Sequence, residues 1–362
     1  MASETGEVVV ITGASAGVGR AVARLFGERK AKIGLLARGK EGLEGARREI
    51  EAAGGEALVL PTDVADPDRV EAAAEAVEAR FGPIDIWVNN AMATVLSPFK
   101  EMTPEEFKRV TEVTYLGSVY GTMAALRRML PRNRGTIIQV GSALAYRSIP
   151  LQSAYCGAKH AVKGFTDSIR SELIHDQSGV RITMVQLPAL NTPQFGWAKT
   201  RLPNHPQPVP PIFQPELAAE AIVRAAHHHR REWAVAWPVA KAILGNKVIP
   251  GLLDRYLAGK GYTGQQTDAP VDPNRPDNLW EPVPGDGGAY GIFGKRAKRS
   301  SIQYRLNIYR GALALSTIGT LGVAVGTFLG FAKQSTAALR FSIASLRKPN
   351  RLRKGLSRAR AA

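Results

Sequence analysis

Short apolar runs and longer amphipathic stretches take turns along the first two-thirds of the chain. Runs at 7–12, 32–37, 56–61, 84–89, 135–141, 180–187 and 233–237 have the length and largely apolar character of strands in a buried parallel sheet. The gaps between them carry helical patterns. Strand and helix in alternation predict a parallel sheet with helices on both sides, an α/β, Rossmann-like doubly wound fold. No internal repeat is visible. Residues 231–260, with Trp233, Trp237 and the run AILGNKVIPGLLDRYLAG, predict the last strand and a helical extension. Residues 262–290 are rich in Pro, Gly and Asp and predict a linker. The expected organisation is one domain over 1–260, a linker over 261–294 and a basic tail over 295–362.

The first run, EVVVI at 7–11, leads into TGASAGVGR, from Thr12 to Arg20, and then into the amphipathic AVARLFGERK. Strand, glycine-rich turn and helix in that order make a dinucleotide phosphate site. Gly13 permits the tight turn, Gly17 lets backbone approach a pyrophosphate, and Gly19 lets the helix pack close to the strand. The helix N-terminus offers free N–H groups and a positive dipole end. A second cluster lies in QVGSALAYRSIPLQSAYCGAK at 139–159. Tyr155 and Lys159 are four apart and share a helix face. An ammonium one turn from a phenol is expected to favour the phenolate and to bring its pKa, ordinarily about 10, toward the working range. A hydroxyl on Ser142 is placed to hold a carbonyl or alcohol oxygen beside the phenol.

Taken in this order, these motifs resemble the short-chain dehydrogenase/reductase family, over roughly residues 5 to 240. TGASAGVG is similar to the family's TGxxxGxG, and the resemblance implies cofactor contacts at Thr12, Gly13, Ser15, Gly17, Val18 and Gly19. Asp63-Val64 stands where the family uses an Asp near the adenine ring. NNAM at 89–92 stands for NNAG and implies contacts at Asn90 and Ala91. Ser142, Tyr155 and Lys159 match the catalytic Ser and YxxxK, with Tyr155 and Lys159 also on the cofactor. LPALNT at 187–192 implies a nicotinamide contact at Thr192. The chain departs from the pattern at Met92, at Ala189 and at Thr114. Thr114 occupies the place of a catalytic Asn that in the family acts partly through its main-chain carbonyl. Thr keeps that carbonyl, so Thr114 is carried as the fourth catalytic residue.

Charge separates the two forms of the cofactor. The second strand ends at Ala37-Arg38-Gly39-Lys40, with no carboxylate to bind ribose hydroxyls or repel a phosphate. Arg38 can hold a 2′-phosphate by charge-assisted hydrogen bonds, so NADP(H) is expected over NAD(H). The expected activity is interconversion of an alcohol and a ketone or aldehyde. The alternative is a non-catalytic, membrane-associated dinucleotide sensor or scaffold, for which Thr114, Met92 and Ala189 speak.

Residues 188–215 hold eight prolines with Phe195, Trp197 and Phe213, which suggests a lipophilic substrate. Single Cys156 excludes an internal disulfide and suits a reducing compartment. No metal is expected: consecutive His227, His228 and His229 point about 100° apart on a helix and do not converge. MASETGEVVV carries no signal pattern, so a cytoplasmic location is expected.

The net charge of +17 is concentrated at one end, since residues 291–362 hold fifteen Lys or Arg and no acid. Within that tail, 311–332 is uncharged, and as a helix would span about 33 Å, long enough for a bilayer core. Gly322, Gly326 and Gly330 form a small-residue packing face. Basic flanks on both sides favour a helix lying on an anionic membrane over a span. Nucleic acid is the weaker partner, because few aromatics accompany the basic end. A homo-oligomer is compatible with the sequence.

Overall fold

The apolar runs become strands with little change in their bounds. A computed structural model describes residues 6–309 and divides the chain into two compact units, Met1–Tyr304 and Arg305–Ala362. The expected apolar helix at 311–332 and the basic residues beyond it lie outside the described residues.

In chain order the first unit begins with β1 (Val8–Thr12), α1 (Gly17–Gly27), β2 (Lys32–Ala37), α2 (Lys40–Ala52), β3 (Glu56–Pro61) and α3 (Pro67–Phe81). It continues with β4 (Ile86–Asn89), β5 (Val95–Leu96), α4 (Pro104–Thr111), α5 (Gly117–Met129), β6 (Gly135–Ser142), α6 (Ser153–His175) and β7 (Val180–Leu187). The last part holds α7 (Gln194–Trp197), β8 (Lys199–Thr200), β9 (Asn204–Pro206), α8 (Pro215–His227), β10 (Glu232–Ala234), α9 (Trp237–Val248), α10 (Pro250–Lys260) and β11 (Gln266–Pro270).

Seven strands form one sheet in the order β10-β7-β6-β4-β1-β2-β3, and every pairing in it is parallel. This is the Rossmann-like doubly wound sheet expected from the alternation. The chain winds outward from β1 to β3, then crosses back to lay β4 on the other side of β1. That reversal opens a crevice beyond the carboxyl ends of β1 and β4, where ligands bind in such sheets. Trp87, Ile137, Val10 and Leu36 belong to the main core and are fully buried.

The last sheet strand is shorter than the apolar run. It stops at Ala234, because Ala236 adopts a left-handed backbone (φ 70°) and Pro238 then starts α9, which takes Trp237 into a helix.

The larger correction concerns 261–294. This segment is no free tether. Its residues 266–270 form β11, paired antiparallel with β9. Leu279 is fully buried within the main core. Residues 278–291 then run as a strap along the crevice. Asn278 N–H donates to the Trp197 carbonyl at the start, and Gly291 N–H donates to the Asn191 carbonyl at the end. Residues to 304 continue on the same body: Phe293 and Tyr304 are buried, and Lys298 exchanges backbone hydrogen bonds with Ile212 and Gln214. Pro and Gly content marks extended backbone without saying whether that backbone is packed. Its few buried apolar residues and its backbone hydrogen bonds to the body anchor it.

Candidate active site

The glycine turn sits at the carboxyl end of β1 and is fixed from β4. Thr12 Oγ1 accepts from the backbone N–H groups of Asn90 and Ala91 at 2.9 and 3.0 Å. Asn90 Nδ2 donates back to the Thr12 carbonyl at 2.9 Å. Thr12 and Asn90 thus hold the turn in place. Gly13 has φ 68°, and a Cβ there would stand 2.9 Å from Ala91 Cα. At Gly19 a Cβ would stand 2.2 Å from the Gly13 carbonyl oxygen, so only glycine lets α1 start this close to the turn. Ser15, Gly17, Val18, Arg38, Asp63, Val64, Asn90, Ala91 and Thr192 line one cleft together with Gly13.

The strap forms one wall of this cleft, which nothing in its sequence signals. Pro282, Val283, Gly285 and Gly287 line the same cleft. The Gly17 N–H, at the start of α1, donates to the Gly288 carbonyl at 3.0 Å. Arg38, expected to be free for a phosphate, donates through Nη1 to the carbonyls of Trp280 at 2.5 Å and Leu279 at 3.3 Å, and through Nη2 to that of Asn278. Burial, with the like charge of Arg109 adding to it, lowers the Arg38 pKa.

Arg109, on α4, was not foreseen, since nothing in the spacing of PEEFKRVT marks it. Its Nη2 meets Asp63 Oδ2 at 2.5 Å and its Nε donates to the Leu279 carbonyl at 3.1 Å. Burial works against ionisation of Asp63, but the Ala65 N–H and Arg109 outweigh it and hold the carboxyl below its ordinary range. Asp286 of the strap pairs with buried Arg20 of α1 at 2.9 Å.

A nicotinamide dinucleotide fits these residues. Four carbonyl oxygens of the strap accept N–H donors at this rim, one from Gly17 and three from Arg38, and donors of this kind suit the anionic oxygens of a dinucleotide.

A second cleft shares Val18, Asn90, Met92, Thr192 and Gln194 with the first, and Ser142, Tyr155 and Lys159 line it together. Ser142 ends β6; Tyr155 and Lys159 lie one turn apart on α6. Ser142 Oγ accepts the Leu144 N–H at 3.1 Å, which leaves its proton free to be donated. Lys159 is 3% exposed and donates to the Val140 carbonyl at 2.7 Å. Its Nζ lies 5.7 Å from the centre of the Tyr155 ring.

Burial lowers the Lys159 pKa to about 8. Burial also pushes the Tyr155 phenol above its ordinary value, against a smaller pull downward from Ser142. The expected downward shift by Lys159 is therefore not found here. Desolvation dominates both groups, and the ammonium is spent on a main-chain carbonyl.

Thr114 sits in a π-helical turn, Glu112–Leu116, and is fully buried. Its Oγ1 accepts the Ala93 N–H and donates to the Ala93 carbonyl, both at 3.0 Å, while its own carbonyl accepts from Ser118 Oγ at 3.1 Å. Thr114 does not line the cleft of Ser142, Tyr155 and Lys159.

The rest of the second cleft is uncharged and mostly apolar, with Leu144, Ile149, Leu187, Leu190, Phe195 and Val209 among its walls beside the polar Asn90, Gln152, Thr192, Gln194 and Gln207. Lys159 is the one charged side chain lining it among the described residues.

Comparison with known proteins agrees with this geometry. The short chain dehydrogenase family pattern matches residues 7–201. YxnA, an uncharacterised oxidoreductase of Bacillus subtilis (strain 168), is 34% identical over 277 residues, which make up 76% of this chain and 78% of that relative. A metagenomic short-chain oxidoreductase, solved in complex with NADP, is 29% identical with a TM-score of 0.54, over 64% of this chain and 97% of that one. A short chain dehydrogenase from Mycobacterium paratuberculosis, bound to NAD, is 25% identical with a TM-score of 0.55, over 64% and 96%. With more than half its length under the family pattern and three-quarters shared with an oxidoreductase, the chain belongs to the short-chain dehydrogenase/reductase family and is an oxidoreductase acting between CH–OH and C=O with a nicotinamide dinucleotide.

Proposed function

We propose that the protein interconverts a lipophilic alcohol and its ketone or aldehyde, with NADP(H) as the preferred cofactor. One observation carries the reading: Ser142, Tyr155 and Lys159 converge on a cleft whose other walls are apolar or uncharged. Such a cleft favours an uncharged substrate, since its one charged group among the described residues, Lys159, is already bonded to the Val140 carbonyl, and a substrate charge taken from water would find no other ionic partner.

Held by these residues, a nicotinamide would supply or accept the hydride at the substrate carbon. In the direction of reduction, Tyr155 gives its hydroxyl proton to the substrate oxygen, and in oxidation it receives one. Ser142 donates a hydrogen bond to that oxygen and fixes it against the phenol. Lys159 places a positive charge 5.7 Å from the centre of the Tyr155 ring and would hold a ribose hydroxyl of the cofactor. Thr114 acts as a positioning residue, holding the backbone at Ala93 through both of its polar groups. The remaining cofactor contacts are assigned to Thr12, Gly13, Ser15, Gly17, Val18, Gly19, Asp63, Val64, Asn90, Ala91 and Thr192.

The NADP(H) preference rests on two guanidiniums at this rim, Arg38 after β2 and Arg109 on α4, of which Arg109 is paired with Asp63. A 2′-phosphate would exchange with the strap carbonyls on Arg38. The basic tail is assigned to an anionic membrane surface, with the enzyme on the cytoplasmic side. Among the described residues no helix is long and apolar enough to cross a membrane.

The test is a screen of the purified full chain against lipophilic alcohols, ketones and aldehydes, followed by nicotinamide absorbance with each cofactor. Turnover of uncharged apolar substrates, faster with NADP(H), is expected. Turnover confined to carboxylated or phosphorylated substrates overturns the substrate class, and a preference for NAD(H) overturns the cofactor assignment.

A further inference from the structure

The helical hairpin α9–α10 carries an apolar face that the rest of the body does not cover. Val239 is the one buried residue of α9, and α10 has none. Trp237, Leu244 and Val248 are spaced by seven and four residues, which at 100° per residue puts them within about 20° of one line along the helix. Leu244 is 64% exposed and Val248 67%. Leu252 and Tyr256, four apart on α10, are each 61% exposed. The two helices pack on each other through Gly245, where a Cβ would stand 3.2 Å from Leu253 Cδ1, so the large apolar side chains are left on the outside.

The charges on the hairpin are mostly of one sign. Lys241, Lys247, Arg255 and Lys260 accompany a single acid, Asp254, and Asp254 is taken by Arg147 of the body. Lys241 Nζ lies 5.9 Å from the centre of the Trp237 ring. An apolar line with a tryptophan at one end, flanked by lysines and arginine, has the composition of a surface that enters the interface of an anionic lipid layer.

The position of the hairpin gives this surface a use. Pro238, in the first turn of α9, lines the apolar cleft, as does half-exposed Val209. Arg147, from the loop that follows Ser142, binds both Asn246 and Asp254 and ties the hairpin to the active-site rim.

We infer that the α9–α10 hairpin docks on an anionic lipid surface and sets the mouth of the substrate cleft against it, so that lipophilic substrate passes from lipid to cleft. The docking stands on the hairpin alone. The passage of substrate rests on the reading of the cleft proposed above.

The experiment uses the full chain with Leu252→Cys carrying an environment-sensitive fluorophore. Cys156 is buried, and the unsubstituted chain serves as the labelling control. Vesicles of phosphatidylcholine and phosphatidylserine should blue-shift and brighten the label, brominated lipid should quench it, and vesicles of phosphatidylcholine alone should do much less. Leu244→Asp with Val248→Asp should weaken the vesicle-induced shift at least tenfold, while the melting temperature and cofactor binding hold. The same pair should raise the apparent KM for vesicle-borne substrate about tenfold and leave turnover of a water-soluble ketone unchanged.

A chain that sediments with vesicles while the label at 252 stays unmoved docks by its tail, and the inference falls. A label already shielded without vesicles, with a doubled mass by light scattering, assigns the face to a second copy and also overturns it. The fluorescence is read without turnover, so failure of the catalytic reading leaves it intact.

Discussion

Lys159, buried and bonded to the Val140 carbonyl, has its pKa lowered to about 8, against about 10.4 in an unfolded chain. Below pH 8 it is charged in both states, and burying that charge costs stability in full. Between the two values the unfolded chain holds a proton that the folded one has released, so stability rises with pH; above both the cost is gone. Urea titrations of wild type and Lys159→Met should therefore converge or cross between pH 7 and pH 11. Wild type should gain roughly 2 to 4 kcal/mol relative to the variant over that range. A difference that does not change with pH would show that the lysine is not desolvated. Tyr155→Phe removes only the hydroxyl assigned to proton transfer and should lower turnover at least about 100-fold with cofactor binding largely intact. Turnover within tenfold of wild type would refute that assignment. At Thr114 the substitution to Val keeps the shape and strands the buried N–H and carbonyl of Ala93, a cost of roughly 2 to 5 kcal/mol in denaturant titration. Thr114→Ser keeps the hydroxyl and should cost about 1 kcal/mol or less. Ser142, Tyr155 and Lys159 were legible because chain-local spacing places two of them on one helix and the third at a strand end. Their titration was not legible, because burial and the Val140 carbonyl are tertiary facts.

The strap shows what an element can be without regular secondary structure. One buried leucine, main-chain carbonyls and Asp286 bind it to Arg38 after β2, to α1 and to α4. Leu279→Ala should cost about 2 to 5 kcal/mol, a core-sized penalty inside a segment that reads as a linker. A loss under 1 kcal/mol in urea titration would mean that the strap is only resting on the body. Arg38→Ala removes the guanidinium from both the strap and a 2′-phosphate. Direct titration should show NADPH affinity falling roughly tenfold to a hundredfold while NADH affinity holds or improves, as the carbonyls lose their hold. Equal losses for both cofactors would assign Arg38 to the strap alone. The sheet strands were legible because a short, largely apolar run between helical patterns has few other uses at that length. The strap was not, because its composition, PDNLWEPVPGDGG, serves a free chain as well as a packed one. Arg109 was hidden for the same reason, since its partners Asp63 and Leu279 lie 46 and 170 residues away in sequence.

For the molecule as a whole, the body is complete only near Tyr304, the end of the first compact unit. A chain cut after residue 309 should keep a single cooperative melt close to that of the full chain. A chain cut after 276 should be insoluble or melt far lower, since Leu279, Asp286 and the Arg38 carbonyls go with it. Equal melting of the two cuts would show that the strap adds nothing to the fold. The pairing of Arg20 with Asp286 spans 266 residues. At about 5 to 20 residues per second, synthesis leaves on the order of ten seconds or more between the appearance of the first partner and the second. Through that interval the glycine turn and Arg38 are already made and the oxygens that cover them are not. The nascent chain thus passes through a stage in which its N–H donors face whatever phosphate the surroundings offer, and the protein's own backbone comes last to the place.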